Sequence, residues 1–456
     1  MTQQFNIPKG LERLARLFYE AGARLYAVGG MIRNPLLGLP VSDMDITSAM
    51  LPGDLIALCE HNGIHHIEKG IDFGTIELHY SGMSLEHTTF RSDIYGEGGT
   101  HRPQDVRFTK TLGEDAFRRD FTINAIYLDI LDGGLSDPTG GLHDISARIM
   151  RATNPDPAVI MQNDALRILR MARFAAELGF DVEDETLNAA KRFSAKLKDI
   201  SHERIRDELT KILLSDIRYA NSSGVLRGLT LLEKTGALDV ILPELALGRA
   251  IQQKAAYHAY DVLWHSLHTA QEAQPTIVMR LAGLLHDVGK PKVYIETGKM
   301  YNHDAIGENI AREILTRLKY PSAIKKQVCT LVRYHMYDLS GLAKENTLRM
   351  KFALLGYETS LALCDMREAD VHGSGRISGE VKTAERWRDI LARMKAQGAP
   401  FCEDELKCTG ADIMQWLSLP SSPRIGEIKR AMLLHCAQKP QDNVPEKLKK
   451  LARDMM

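Results

Sequence analysis

The sequence predicts an α+β protein: a small mixed-sheet head followed by an all-α neck, body and tail. Three observations carry this expectation. The N-terminal third alternates short β-branched or aromatic runs with Gly-rich turns, while the rest carries apolar residues at three- and four-residue spacing. The length, 456 residues, is about three times an ordinary domain of ~150 residues. We expect the head at 1–150, the neck at 151–245, the body at 246–385 and the tail at 386–456.

Taken in order, the runs LYAVGG, MDITSA, TIELHY, SLEHTTF and NAIYLDI read as head strands, and GDLIALCEHNG and KTLGEDAFRR as head helices. EGGTHRPQDVRF, rich in Gly and Pro, reads as a flexible loop. Beyond it DALRILRMARFAAELGF, ERIRDELTKILLSD, TIVMRLAGLLHDVGK, ENIAREILTRLKY and EVKTAERWRDILARMKAQG are amphipathic helices.

Composition narrows the function classes. Lys and Arg total 58 against 59 Asp and Glu, so no global positive field draws the chain onto nucleic acid, and an RNA partner must be held by local clusters. Lys191-Arg192 with Lys196 and Lys198, and Lys447, Lys449 and Lys450, are candidates. The six cysteines lack a C-x-x-C pair, which points to reduced, structural thiols. No run approaches the ~20 apolar residues of a membrane span, and the charged N-terminus is unlike a signal peptide, so we expect a cytoplasmic protein without membrane contact.

The head's chemistry lies in LYAVGGMIRNPLLGLPVSDMDITS, where a strand enters Gly29-Gly30, a helix carries Arg33, and a second strand brings Asp43 and Asp45. Residues two apart on a strand share a face, so the carboxylates form a hard-oxygen site suited to Mg²⁺ and a substrate phosphate. The glycines allow close backbone approach to a triphosphate, and Arg33 offers it a bidentate fork. Glu86, in a further strand, is a candidate third carboxylate.

A second set could read bases. Arg118 and Arg119 precede a strand-like run, and Asp164, Arg167, Arg170 and Arg173 recur at spacings of three on one helix. A carboxylate accepts from the exocyclic amine that cytosine and adenine share, whereas uracil and guanine present a carbonyl there. Arg donates to the adjacent ring acceptor. Asp164 with Arg167 is therefore an adequate template for choosing C or A.

In order and spacing GGMIR with S-D-M-D-I, RRDFTINA, DPTGG, NDALRILRMARFAAELGF and HERIRDELTKIL resemble the motifs of class II tRNA nucleotidyltransferases, the CCA-adding enzymes, over roughly residues 22–215. The resemblance implies a polymerase-β-like head in which Asp43 and Asp45 hold Mg²⁺ and Gly30, Arg33 and Arg119 hold the nucleotide. It further implies that Asp164 and Arg167, helped by Arg170 and Arg173, template CTP then ATP onto the tRNA 3′ end. The segment TTFRSDIYGEGGTHRPQDVRF resembles the loop associated with the change from C to A. Two positions depart from the family pattern: Asn34 stands where Asp is usual and Asn163 where Glu is usual.

Farther on, an adjacent His-Asp pair closes an apolar helix, although Asp is costly to bury unless paired or metal-bound. His265, His286-Asp287, His303, His335 and Asp370 fall in an order that resembles the HD phosphohydrolase superfamily. That resemblance implies that His265, His286, Asp287 and Asp370 are metal ligands, with His303 and His335 completing a second site. Imidazoles suit a transition metal such as Ni, Mn or Co. Lys290 is placed to meet a substrate phosphate.

The expected function is addition and repair of the 3′-terminal C-C-A of tRNA from CTP and ATP, with metal-dependent phosphohydrolase activity in the body. The rivals are a poly(A) polymerase, which the neutral charge and the HD body oppose, and a partial CC- or A-adding enzyme, to which Asn163 and the loop are relevant. A phosphohydrolase with a merely RNA-binding head is opposed by the intact Asp43 and Asp45.

Overall fold

A computed structural model describes residues 5–41, 43–94 and 105–456, and the chain divides into two compact units, Met1–Pro243 and Glu244–Met456. It is an α+β protein, with its main sheet confined to the first unit.

The first unit contains β1 (Leu25–Val28), β2 (Asp45–Ser48), β3 (His65–Gly70), β4 (Thr75–Tyr80), β5 (Met83–Thr89), β6 (Arg91–Ile94), β7 (Asp105–Phe108), β8 (Tyr127–Asp129) and β9 (Leu135–Ser136). Seven of them form one sheet in the order β3-β4-β5-β2-β1-β8-β9. Its neighbours are antiparallel except β2 and β5, which run parallel and set Asp45 opposite Glu86. Parallel pairing needs a crossover connection, here the helix Pro52–His61 and the β3–β4 hairpin.

The helix Lys9–Glu20 presents Leu11, Leu14, Ala15 and Phe18 at helical spacing, all buried, and Phe18 lies on the ring of buried His87. On β5, therefore, Leu85, His87 and Thr89 face inward and Glu86 outward. β6 and β7 pair with each other, so both ends of the expected flexible loop are strands; its residues 95–104 lie outside the described ones. β3 and β9 were not apparent in the sequence pattern, and β3 is mostly solvent-exposed.

The neck follows as helices Pro157–Asn163, Leu166–Leu178, Asp184–Phe193, His202–Leu213, Ser215–Arg218 and Gly224–Lys234. Leu166–Leu178 is buried along most of its length and stops at Gly179, whose φ of +70° ends the helix.

The second unit is helical. Val262–Glu272, Ile277–Leu285 and Tyr357–Gly373 come together at small residues: a Cβ on Gly373 would meet Thr269 Oγ1 at 2.4 Å, and one on Gly283 the Thr269 carbonyl at 2.9 Å. The helix Pro423–Gln438 packs against Glu345–Leu355, and the boundary expected at 385/386 falls inside Lys382–Ala396. Cys402 is exposed and the other five cysteines are buried and unpaired. Among the described residues no helix is long and apolar enough to cross a membrane.

Candidate functional site

In the head, β1 ends in a turn that only glycine adopts comfortably: Gly29 has φ +68° and ψ −133°, and a Cβ there would lie 3.1 Å from Asp45 Oδ2. The turn therefore brings bare backbone to Asp45, and Gly30 opens the helix Gly30–Leu36 that carries Arg33. Asp45 and Glu86 are cross-strand neighbours on one sheet face. Burial, and then the Glu86 carboxylate, push the Asp45 pKa up to about 6.

Asp43 differs from the expectation. It precedes β2 instead of lying in it, its side chain is 70% exposed, and Oδ2 accepts from Arg218 Nη2 at 2.9 Å. Alternation along a strand therefore does not govern where its carboxylate points.

Arg33 is buried and held by amides. Its Nε and Nη2 donate to Asn34 Oδ1 at 3.1 and 2.8 Å, and Nη1 to Asn124 Oδ1 at 2.5 Å. Asn34 in turn donates to the Pro40 carbonyl and the Tyr219 hydroxyl, at 2.8 and 2.9 Å. An amide thus fills the position where the family has Asp, keeping the acceptor and dropping the charge. Burial lowers the Arg33 pKa, against the pull of Tyr219 and Glu177.

Asn124 donates to Asp120 Oδ1 at 3.1 Å, and Asp120 Oδ2 receives Arg170 Nη2 at 2.6 Å. Burial alone would raise the Asp120 pKa, but Arg170, Asn124 and Arg167 together outweigh it and hold the carboxyl far below the usual range. Asp120 and Asn124, which sequence reasoning missed, link the Arg33 turn to the neck helix. The RRDFTINA motif contained them, but its arginines drew attention, and its Thr122–Asn124 stretch is a 3-10 turn before β8. Arg119 donates to Asp115 Oδ2 at 3.1 Å and to the Tyr127 hydroxyl at 3.0 Å, and Arg118 to Asp115 Oδ1.

The expected quartet is split. Asp164 stands between the helices Pro157–Asn163 and Leu166–Leu178, one residue before the Ala165 N-cap position, and its Oδ1 accepts from the Leu166 N–H at 3.0 Å. Arg167 is buried and donates to the Arg118 carbonyl at 2.8 Å, which ties the helix to the head. Arg170 faces Asp120, whereas Arg173 turns to Glu208 at 3.0 Å and covers Phe174. Arg173 is thus committed to ion pairs within the neck. Of the basic clusters, Lys191, Arg192 and Lys198 are exposed, while Lys447 is paired with Asp442 at 2.7 Å.

In the second unit the six expected residues converge as two clusters, His265, His286 and Asp370, and Asp287, His303 and His335. The Gly289 turn allows this: a Cβ there would meet the His303 carbonyl at 2.2 Å. Each of His286, His303 and His335 places Nδ1 against a backbone carbonyl, of Gly283, Met300 and Val332, at 2.7–2.8 Å. That fixes Nε2 as the ligand-bearing nitrogen.

The Nε2 atoms then face each other, His265 to His286 at 3.1 Å and His303 to His335 at 3.1 Å. Buried Asp287 Oδ1 has no hydrogen-bond partner although His303 Nε2 is 3.1 Å away, and Oδ2 lies 3.2 Å from His286 Nε2. Lone pairs converging in this way fit divalent cations, with one Asp287 oxygen for each cluster. Burial would lower the His286 pKa, but Asp287 and Asp370 carry it to about 10. Asp287, His335 and Asp370 line a pocket of about 410 Å³ that also presents Lys290 and Arg367. Lys290 donates to Asp287 Oδ2 at 2.6 Å and Arg367 to Asp370 Oδ2 at 3.0 Å.

Comparison with known proteins agrees with this architecture. The chain matches the Poly A polymerase head domain over residues 25–151, the probable RNA and SrmB-binding site of polymerase A over 179–249, and the HD domain over 255–372. It is 35% identical over 345 residues to the A-adding tRNA nucleotidyltransferase of Deinococcus radiodurans, covering 72% of this chain and 76% of that one. It is 30% identical over 419 residues to the CCA-adding enzyme of Geobacillus stearothermophilus, covering 91% and 88%. The crystal structure of the Bacillus stearothermophilus CCA-adding enzyme in complex with CTP superposes with a TM-score of 0.72 at 25% identity, over 98% of this chain and 97% of that one. The chain therefore belongs to the tRNA nucleotidyltransferases, the family of the CCA-adding and A-adding enzymes, and carries an HD domain C-terminal to the nucleotidyltransferase part.

Proposed function

We propose that the chain adds or repairs the 3′-terminal C-C-A of tRNA, using CTP and ATP. The observation that carries the reading is the meeting of the Gly29 turn, the Asp45–Glu86 pair and the Arg33–Asn124–Asp120–Arg170 network at the junction with the Asp164–Arg167 end of the neck helix. Asp43 and Asp45, with Glu86 as third carboxylate, would hold a divalent ion, Mg²⁺ by the hardness of the oxygens. The pairing of Asp45 with Glu86 across the parallel strands supports the fit: burial raises the Asp45 pKa first, and the Glu86 carboxylate adds to it the negative charge that a cation would relieve. When bound, that ion supplies Lewis-acid activation of the RNA 3′-hydroxyl and neutralises triphosphate charge.

The chain's own residues do the rest. Gly29 and Gly30 let backbone approach the triphosphate, and Arg33, fixed by two amides, presents a rigid cation to it. Arg119, held on Asp115 and Tyr127, adds a second. Asp164 and Arg167 offer the acceptor and donor edges that select C or A, with Arg170 and Arg173 holding the helix. Lys191, Arg192 and Lys198 supply phosphate contacts to the acceptor arm. The HD clusters would hold a transition metal such as Ni, Mn or Co for phosphohydrolysis, with Lys290 on a substrate phosphate.

A tRNA lacking its last three nucleotides, incubated with labelled CTP and ATP separately and together, should receive two C and then one A. A long A tail would indicate a poly(A) polymerase. Addition of A alone, and only to a tRNA already ending in C-C, is the second reading, favoured by the similarity to an A-adding relative. Asp45→Ala should abolish incorporation with the fold retained.

A further inference from the structure

The short neck helix Ser215–Arg218 and the residue after it reach two functional groups of the head at once. Arg218 Nη2 bonds Asp43 Oδ2 at 2.9 Å, while its Nη1 lies 3.8 Å from the buried carboxylate of Glu177 on the templating helix. Tyr219, under the Arg218 guanidinium at 5.4 Å, accepts from Asn34, the residue that fixes Arg33. Neither Arg218 nor Tyr219 belongs to any of the sequence motifs. Their contacts join a catalytic carboxylate and the nucleotide-binding arginine to one turn of the neck.

We propose that Arg218 is a positioning residue that stands in for the metal at Asp43. It holds Oδ2 while the head is without a divalent ion, and releases it as the ion is taken up, so metal uptake is linked to the order of the 215–221 turn. The physical reason is exclusion: a carboxylate oxygen paired to guanidinium at 2.9 Å is not available to a cation of the same sign. Asp43 is largely exposed, so the competing pair has the strength of a surface ion pair and a metal can displace it. Glu177, behind Arg218, keeps the guanidinium near after release.

The proposal rests on Asp43 and Asp45 holding the ion, and the test separates the two ideas. Mn²⁺ binding to the full chain is measured by titration calorimetry for wild type, Asp45→Ala, Arg218→Met and Arg218→Lys. Binding lost in Asp45→Ala defines the head's share. Arg218→Met, which keeps an unbranched apolar stem and removes the charge, should bind head Mn²⁺ up to about five-fold more tightly, the scale of an exposed ion pair. Arg218→Lys should match wild type, and the difference should shrink in high salt. In hydrogen exchange, Mn²⁺ should loosen residues 215–221 in wild type and not in Arg218→Met.

If Arg218→Met loses its cooperative melt, Arg218→Gln replaces it. Unchanged or weaker Mn²⁺ binding in a folded charge-removing variant overturns the role of Arg218 alone. Asp45→Ala that binds as much Mn²⁺ as wild type overturns the assignment of the head carboxylates, and the role of Arg218 with it.

Discussion

Replacing Asp120 by Asn removes one charge from the centre of the network between head and neck. Asp120 accepts three hydrogen bonds, on Oδ2 from Arg170 Nε at 2.8 Å and on Oδ1 from the Phe121 N–H at 2.8 Å and Asn124 Nδ2 at 3.1 Å, and Arg170 Nη2 completes the ion pair at 2.6 Å from Oδ2. An amide accepts on one side only, so whichever way it turns, its NH₂ meets other donors. A hydrogen bond to a charged group contributes ~1.5–3 kcal/mol, and breaking a fully buried ion pair costs ~3–5 kcal/mol. The Asp120 side chain is 9% exposed but that of Arg170 is 33% exposed, so water compensates part of the loss. The expected cost is about 3 kcal/mol, roughly a hundredfold in the folding equilibrium.

The sign of the pH dependence follows from the depressed Asp120 pKa. A carboxyl with a folded pKa below its unfolded value contributes stability that is complete above ~3.9 and is lost as pH falls through the folded value. The gap between wild type and Asp120→Asn in urea unfolding followed by circular dichroism should therefore be constant from about pH 5 to 8 and close in stronger acid. A loss below about 0.5 kcal/mol at neutral pH, the range of an ordinary surface substitution, or a gap that widens in acid, would refute the reasoning.

Three further outcomes are expected. Arg167→Ala should let UTP or GTP be incorporated, or abolish base choice, on a truncated tRNA; an unchanged preference for C and A removes it from the templating role. Gly29→Ala should cost ~1–3 kcal/mol, because the residue sits at φ +68° and the new methyl meets Asp45, and should depress incorporation even where the protein stays folded. Asp287→Asn should lower the metal content of both HD clusters, read by elemental analysis, and leave nucleotide incorporation intact; retention of one full metal equivalent argues against a carboxylate shared between the clusters.

Much of this architecture was legible from residue spacing. The inward residues of the helix Lys9–Glu20 and of β5 follow the 3.6- and 2-residue periods, and the Gly-Gly turn required the backbone that Gly29 adopts. The burial argument singled out only the His286-Asp287 pair, and the other four residues of the two clusters were reached through the resemblance to the HD superfamily; the structure brings all six together. Less legible were features that depend on where a periodic run stops. Spacing put Asp43 in the strand and Asp164 in the helix, but β2 starts at Asp45 and the neck helix at Leu166, so both carboxylates stand at element edges. Spacing also grouped Arg173 with Arg167 and Arg170, though Arg173 has rotated round the helix to Glu208. Asp120, Asn124 and Tyr219 make contacts to Arg170, Arg33 and Asn34, residues far away in the chain, which no local pattern encodes.

The parallel pairing of β2 with β5 makes the placing of the head carboxylates depend on a residue on the other face of the sheet. On the buried side of the sheet, His87 Nε2 meets Ser48 Oγ at 2.8 Å, and burial lowers the His87 pKa to about 3, so the ring stays neutral at physiological pH. This contact works as a register lock. A slip of β5 by one residue would put Leu85 or His87 opposite Asp45, turn Glu86 into the core and leave the imidazole against the wrong partner. The spacing of the two carboxylates is thus inherited from a neutral hydrogen bond on the opposite face, and the segment between β2 and β5, residues 49–82, can vary in length provided that bond re-forms. Selection on the chemistry of this head therefore reaches through the sheet to positions that never meet the nucleotide.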